Sequence, residues 1–176
     1  MTVLVIDKDT NGFGRKIVES LKSTNPGLEY ELSPGAKPFL ELQDINDGKY
    51  SAIVIGLPAE CRGSTKSEHD SNVAVEWIEA LRFGAVWEVD WTKSGKYAIR
   101  ETTKSSLPII YVHRYSIMNI DEFPGDFPDV YANRYGQGRL KKFVHKWYKS
   151  IGCNCIVLTP WEPSALAEAM NEVING

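Results

Sequence analysis

The hydrophobic pattern of the chain changes period repeatedly. Residues 3–6 (VLVI) are wholly apolar and stop at Asp7-Lys8-Asp9. Thr10 or Asn11 then offers a helix cap, and Phe13, Ile17 and Leu21 recur every four residues, as on one face of a helix. Asn25-Pro26-Gly27 ends that helix, and residues 28–32 alternate apolar and acidic positions like a half-buried strand. Beyond Ser33-Pro34-Gly35, the positions Phe39, Leu40, Leu42 and Ile45 predict a short helix that stops at Asn46-Asp47-Gly48. The stretch from Ser51 to Pro58 (SAIVIGLP) is apolar and β-branched, which predicts a strand buried on both faces at the centre of a parallel sheet.

A polar segment from Glu60 to Asp70 follows, and then a helix near Ser71 to Phe83 with Val73, Trp77, Ala80 and Leu81 on one face. VWEVDW and KYAIRE flank Thr92-Lys93-Ser94-Gly95 and alternate apolar with polar residues, which predicts a β-hairpin near 86–101. LPIIYVH (residues 107–113) resumes the buried-strand pattern and ends at His113-Arg114. The proline- and glycine-rich stretch 115–137 is expected to be a long loop, and Arg139 to Ser150 a basic amphipathic helix. Cys153 to Leu158 is a fifth strand, followed by a last helix with Leu166, Met170 and Val173 as its stripe.

This rhythm of strand and helix with short connections predicts an α/β fold. A five-stranded parallel sheet is wound with helices on both faces, in three layers, with strand order 2-1-3-4-5. The hairpin breaks the rhythm and is an insertion over 85–106. The whole of 1–176 is expected to be one domain.

Composition narrows the function classes. The chain is 43% hydrophobic and 24% charged with a net charge of −3, so no global basic field favours nucleic acid or an anionic membrane surface. No apolar run reaches membrane-spanning length, and MTVLVIDKDT lacks the basic start of a secretory leader. Cys153 and Cys155, two apart in a predicted strand, are expected on one face with parallel side chains. That arrangement suits neither a mutual disulfide nor a metal site, and a reducing, cytoplasmic compartment is expected.

The strand ends carry a resemblance. VLVIDKD with its acids, YSAIVIGLP, LPIIYVH and CIVLTPWEPSALAEAM are similar to the first, third, fourth and fifth strands, with their turns, of the receiver domain of bacterial two-component response regulators. The match covers most of the chain outside 85–106 and 115–137. The resemblance implies a CheY-like, flavodoxin-like fold and a signalling or regulatory role. It also implies a site at the carboxyl ends of the strands, where this chain departs from the pattern. The phosphoacceptor position is Gly56, the acidic pair is Asp7-Lys8 with Asp9 adjacent, the switch Thr/Ser position is His113, and the Lys before Pro is Thr159. Phosphoryl transfer there needs a carboxylate nucleophile and Mg²⁺ on clustered carboxylates. Gly56 supplies no nucleophile and Lys8 opposes the metal, so the resemblance implies a pseudo-receiver without Asp phosphorylation.

The expected role is then protein–protein contact by a stand-alone domain with no cofactor. The contact surface would be the fourth helix, the fifth strand, the last helix and the hairpin, and a homodimer is compatible with this. The alternative is a small flavodoxin-like enzyme or nucleotide- or phosphate-binding protein using Asp7, Asp9, His113 and Arg114 in the crevice at the strand ends. Flavin is not expected, because Asp7 to Gly14 lacks a Ser/Thr-rich phosphate loop. Cys61 and His69 form no triad with a third group. The basic run Arg134 to Lys142 carries two glycines but no phosphate-loop motif. Trp87, Trp91, Tyr97 and Trp161 are candidate partner-surface aromatics.

Overall fold

The computed structural model describes residues 1–8, 12–34, 44–45, 47–57, 74–90, 96–101, 104–116, 146, 148–159 and 162–175. The elements are β1 (Thr2–Ile6), α1 (Phe13–Thr24), β2 (Glu29–Ser33), β3 (Ala52–Ile55), α2 (Ala74–Phe83), β4 (Ala85–Asp90), β5 (Lys96–Glu101), β6 (Ile109–Ser116), β7 (Cys155–Thr159) and α3 (Pro163–Asn175). Asp9, the cap candidates Thr10 and Asn11, most of the second predicted helix, the segment from Pro58 to Val73, Trp91, the stretch 117–145 and Trp161 lie outside the described residues.

The main sheet has five strands in the order β2-β1-β3-β6-β7, and each neighbouring pair is parallel. Counted without the hairpin, this is the expected 2-1-3-4-5 order. The apolar runs are explained by burial on both faces. Leu4, Ile6, Ile53, Ile55 and Tyr111 pack against Trp77, Ile78 and Leu81 of α2 and against Tyr148. The alternate residues Val3, Val5, Val54, Ile110 and Val112 pack against Ile17 and Leu21 of α1 and Leu166 and Met170 of α3. The edge strand β2 keeps the half-buried alternation, with Glu29 and Glu31 exposed. Its period-2 pattern and the continuous apolar pattern of β1 and β3 report edge and centre respectively.

The hairpin is a separate two-stranded sheet, with Trp87 opposite Ile99 and Val89 opposite Tyr97. Its base is tied to the end of α2. The Gly84 N–H donates to the Ala80 carbonyl at 3.0 Å, and the Ser105 N–H donates to the Leu81 carbonyl at 2.7 Å. Arg82 completes the anchor. Its guanidinium donates to the carbonyls of Gly152 (2.9 Å), Ser105 (2.7 Å) and Leu107 (2.8 Å) and to Oδ1 of Asn154 (3.1 Å). Asn154 Oδ1 also accepts the Ile109 N–H at 2.9 Å, so one side chain joins α2 to the entrances of β6 and β7.

Three local expectations are corrected. The N-cap of α1 is Gly12, at φ 72° and with no side-chain cap bond, rather than Thr10 or Asn11; a left-handed entry favours glycine over a capping side chain. β6 continues through Tyr115 and Ser116, into the stretch expected to be a long loop, because its end pairs with β7. Cys153 and Cys155 do not share a face. Cys153 belongs to the core cluster that contains Tyr111 and Tyr148, and Cys155 to the cluster on the opposite side that contains Ala169 and Met170. Alternation applies only within a strand, and β7 begins at Cys155, after a turn in which Gly152 adopts φ 111°. Both thiols are free and buried.

Candidate functional site at the carboxyl edge of the sheet

Ile6, Ile55 and Tyr111 stand side by side on β1, β3 and β6, so the residues just beyond them form the carboxyl edge. In sheets of this kind, ligands and chemistry are found at that edge. Asp7 and Gly56 come next on β1 and β3. The Asp7 N–H donates to the Ser33 carbonyl at 2.8 Å and the Gly56 N–H to the Ile6 carbonyl at 2.9 Å, which fixes both backbones.

Asp7 is not open to the edge. Its relative exposure is 1%, the lowest of any charged residue described. It lies between two glycines. A β-carbon on Gly56 would stand 3.0 Å from Oδ2 of Asp7 and 2.7 Å from Cδ1 of Ile17. A β-carbon on Gly14, in the first turn of α1, would stand 3.0 Å from Cβ and 3.1 Å from Oδ1 of Asp7, and 2.9 Å from Cδ1 of Leu32. Gly56 is therefore more than a missing nucleophile, because Asp7 and Ile17 occupy the space into which a side chain at that position would extend.

Lys8 follows Asp7 and is half-buried. His113 and Arg114 lie on β6 beyond the level at which β3 ends. Between Val112 and Ser116 the β6–β7 register shifts: Val112 stands opposite Val157, and Ser116 opposite Thr159. Four steps along β6 thus match two along β7, and His113, Arg114 and Tyr115 occupy the bulge. Thr159 lies at the level of Ser116 rather than beside His113, so these two candidates are not adjacent in the ladder. Asp9, Cys61, His69 and the run Arg134 to Lys142 lie outside the described residues.

The described residues do not fit a Mg²⁺ ion. Such a site needs several oxygen donors, usually carboxylates. Here Asp7 is enclosed, Gly56 offers no side chain, and Lys8 brings a positive charge. No group of three or more His, Cys, Asp or Glu suited to a metal occurs among the described residues.

Two residues that matter here were not singled out by motif reasoning, Gly14 and Arg82. The signal for Gly14 is its position inside a helix, where glycine costs about 0.5–1 kcal/mol relative to alanine and so calls for a packing reason. Arg82 gives no comparable signal, because a basic residue in the last turn of a helix is ordinary.

No protein-family profile matches the chain. No curated protein matches it significantly. Solved structures do match. A response regulator receiver protein from Burkholderia phymatum superposes with a TM-score of 0.53 at 15% identity, over 99% of this chain and 94% of the other. A sensor protein from Polaromonas sp. JS666 gives a TM-score of 0.51 at 13% identity, over 99% of this chain and 95% of the other. The fold is that of receiver domains. At this identity the likeness concerns backbone architecture and carries no site residue across.

Proposed function

We propose that the chain is a receiver-like regulatory domain that acts through contact with another protein and is not phosphorylated on aspartate. The observation that carries this reading is the enclosure of Asp7 between Gly14 and Gly56. A receiver phosphorylates by attack of a carboxylate on a phosphoryl group held by Mg²⁺. At the equivalent strand end this chain has a glycine whose surroundings are filled, and the remaining acid is buried. The receiver-like fold and the bacterial sources of the similar structures support a bacterial signalling setting. The buried free cysteines support a reducing, cytoplasmic one. No described helix is long and apolar enough to cross a membrane.

The proposed contact surface comprises the helix leading to Ser150, β7, α3 and the hairpin. Phe83, at the hairpin base, is 60% exposed and, with Met1, is one of the two exposed large apolar side chains among the described residues. Two-stranded hairpins are marginal alone and gain from packing on a further surface, which supports a binding role for this insertion. Self-association through the same surface is an accompanying proposal.

The test is incubation with acetyl phosphate and Mg²⁺, followed by intact-mass measurement of the denatured protein. The expected result is no phosphoryl adduct. A stoichiometric adduct that survives denaturation would overturn the reading.

A further inference from the structure

We propose that Arg82 is a latch between the hairpin and the turn that opens β7, so that whatever holds or releases the hairpin also tightens or loosens that turn. Both legs of the hairpin meet the end of α2. The outgoing leg leaves through Gly84, which at φ 70° donates its N–H to the Ala80 carbonyl at 3.0 Å and ends the helix. The returning leg supplies the next bond. The Ser105 N–H donates to the Leu81 carbonyl at 2.7 Å, and the Ser105 carbonyl accepts from Nη1 of Arg82 at 2.7 Å. A helix leaves its last four carbonyls without partners of its own, and here the returning leg fills one of them. That leg cannot shift without uncapping α2.

The same guanidinium reaches the turn before β7. Nη2 donates to the Leu107 carbonyl at 2.8 Å and to Oδ1 of Asn154 at 3.1 Å, and Nε donates to the Gly152 carbonyl at 2.9 Å. A guanidinium is a rigid planar fork, so a rotation that follows one segment breaks the bonds to the other. The fit at the turn leaves no slack. A β-carbon on Gly152 would stand 2.5 Å from Cγ and 3.1 Å from Nε of Arg82.

Two features let the latch open. All four acceptors are uncharged, so within these contacts no opposite charge offsets the partial burial of the guanidinium. The hairpin is a separate two-stranded sheet, a kind of element that is marginal alone and lies at the low end of local stability. An element with two arrangements, biased by both segments, couples them, and such coupling is reciprocal.

The regulatory consequence rests on the contact surface proposed above, to which the hairpin and β7 both belong. The coupling itself is a property of the chain with no partner bound, so the two fail separately. A phosphoryl adduct would defeat the earlier reading and leave the latch standing.

The experiment is amide hydrogen exchange on the full chain, with the β1 and β3 amides as the measure of global stability. The reporters at the turn are the N–H groups of Gly152, Cys153 and Asn154, which are bonded to Lys149, Tyr148 and Ile109. The reporters in the hairpin are the amides of β4 and β5. Trp87→Gly/Ile99→Gly replaces two residues that stand opposite each other in the hairpin ladder. Relative to β1 and β3, it should speed exchange at the turn about 3-fold or more, as loss of about one net hydrogen bond predicts. Asn154→Ala, at an exposed position of the turn, should speed exchange in the hairpin, and it keeps the test valid if the hairpin variant does not fold. In Arg82→Ala both regions should exchange faster, and each of the other changes should then add little in the opposite region. A residue that merely stabilised the fold would leave those effects additive. Arg82→Lys replaces Arg82→Ala if the latter does not fold. A turn indifferent to the hairpin variant, a hairpin indifferent to Asn154→Ala, or cross-effects that persist undiminished without Arg82 would overturn the proposal.

Discussion

Asp7 and Gly56 are packed against each other so closely that a β-carbon on Gly56 would lie 3.0 Å from the Asp7 carboxylate. The same added carbon would lie 2.7 Å from Cδ1 of Ile17. Gly56→Ala should therefore destabilise the protein by about 1–3 kcal/mol, the usual cost of overpacking, measured by urea unfolding. Ile17→Val removes the nearer obstacle, so the pair Gly56→Ala/Ile17→Val should lose less than the sum of the two single changes. Additivity would show that the contact is not what constrains position 56. Gly56→Asp should fold poorly and still take up no phosphoryl group from acetyl phosphate.

Gly14 meets the other side of the same carboxylate, with its added β-carbon 3.1 Å from Oδ1 of Asp7. An alanine in a helix normally gains about 0.5–1 kcal/mol over glycine. Here the contact with Asp7 and Leu32 should reverse that sign. Gly14→Ala is expected to lower the unfolding midpoint, and a raised midpoint would show that Asp7 and Leu32 yield without cost.

Magnesium should leave the thermal midpoint unchanged, in the native chain and in Lys8→Ala alike, while Lys8→Ala by itself should be less stable. The reason is the donor set: among the described residues the edge offers one enclosed carboxylate beside a lysine, which does not hold a hard divalent cation. A midpoint that rises saturably with Mg²⁺ would contradict this account of the edge.

Arg82 makes four hydrogen bonds to two separate segments, residues 105–107 and 152–154, and a lysine can reproduce neither their number nor their planar fork. Arg82→Ala should cost about 2–4 kcal/mol, because it strips donors from partly buried carbonyls. Arg82→Lys should recover less than half of that. Gly152→Ala should be similarly damaging. Its φ is 111°, and a β-carbon there would stand 2.5 Å from Cγ of Arg82. Guanidinium unfolding measures all three.

The wholly apolar runs at Val3–Ile6 and Ala52–Ile55 made the central strands legible in sequence, since only a strand covered on both faces tolerates that pattern. The hairpin was legible from its alternation about Thr92 to Gly95. The relations between strands were less accessible. The bulge that separates Thr159 from His113 depends on pairing between β6 and β7, and no residue within either strand announces it. The opposite faces of the two cysteines are not legible in sequence, because periodicity cannot tell where a strand begins. Gly56 could be read as a lost nucleophile from its position, but its close fit against Asp7 and Ile17 is a tertiary fact.

Those cysteines give the chain an alkaline limit. Burial pushes the Cys153 thiol up to about 12 from an ordinary 9.0, with the Arg82 guanidinium opposing the shift. Burial, then a hydrogen bond with Glu172, pushes Cys155 up to about 11. The native state thus keeps protons that the unfolded chain releases near pH 9. The stability tied to them is whole below that pH and falls as pH rises toward about 11 and 12. For Cys153 the slope approaches about 1.4 kcal/mol per pH unit between the two pKa values. Urea unfolding from pH 8 upward should show the decline, and Cys153→Ala should flatten it. An equal decline in that variant would place the alkaline sensitivity elsewhere. At pH 8 both thiols should react with iodoacetamide far more slowly in the native protein than in urea, because each is buried as well as protonated.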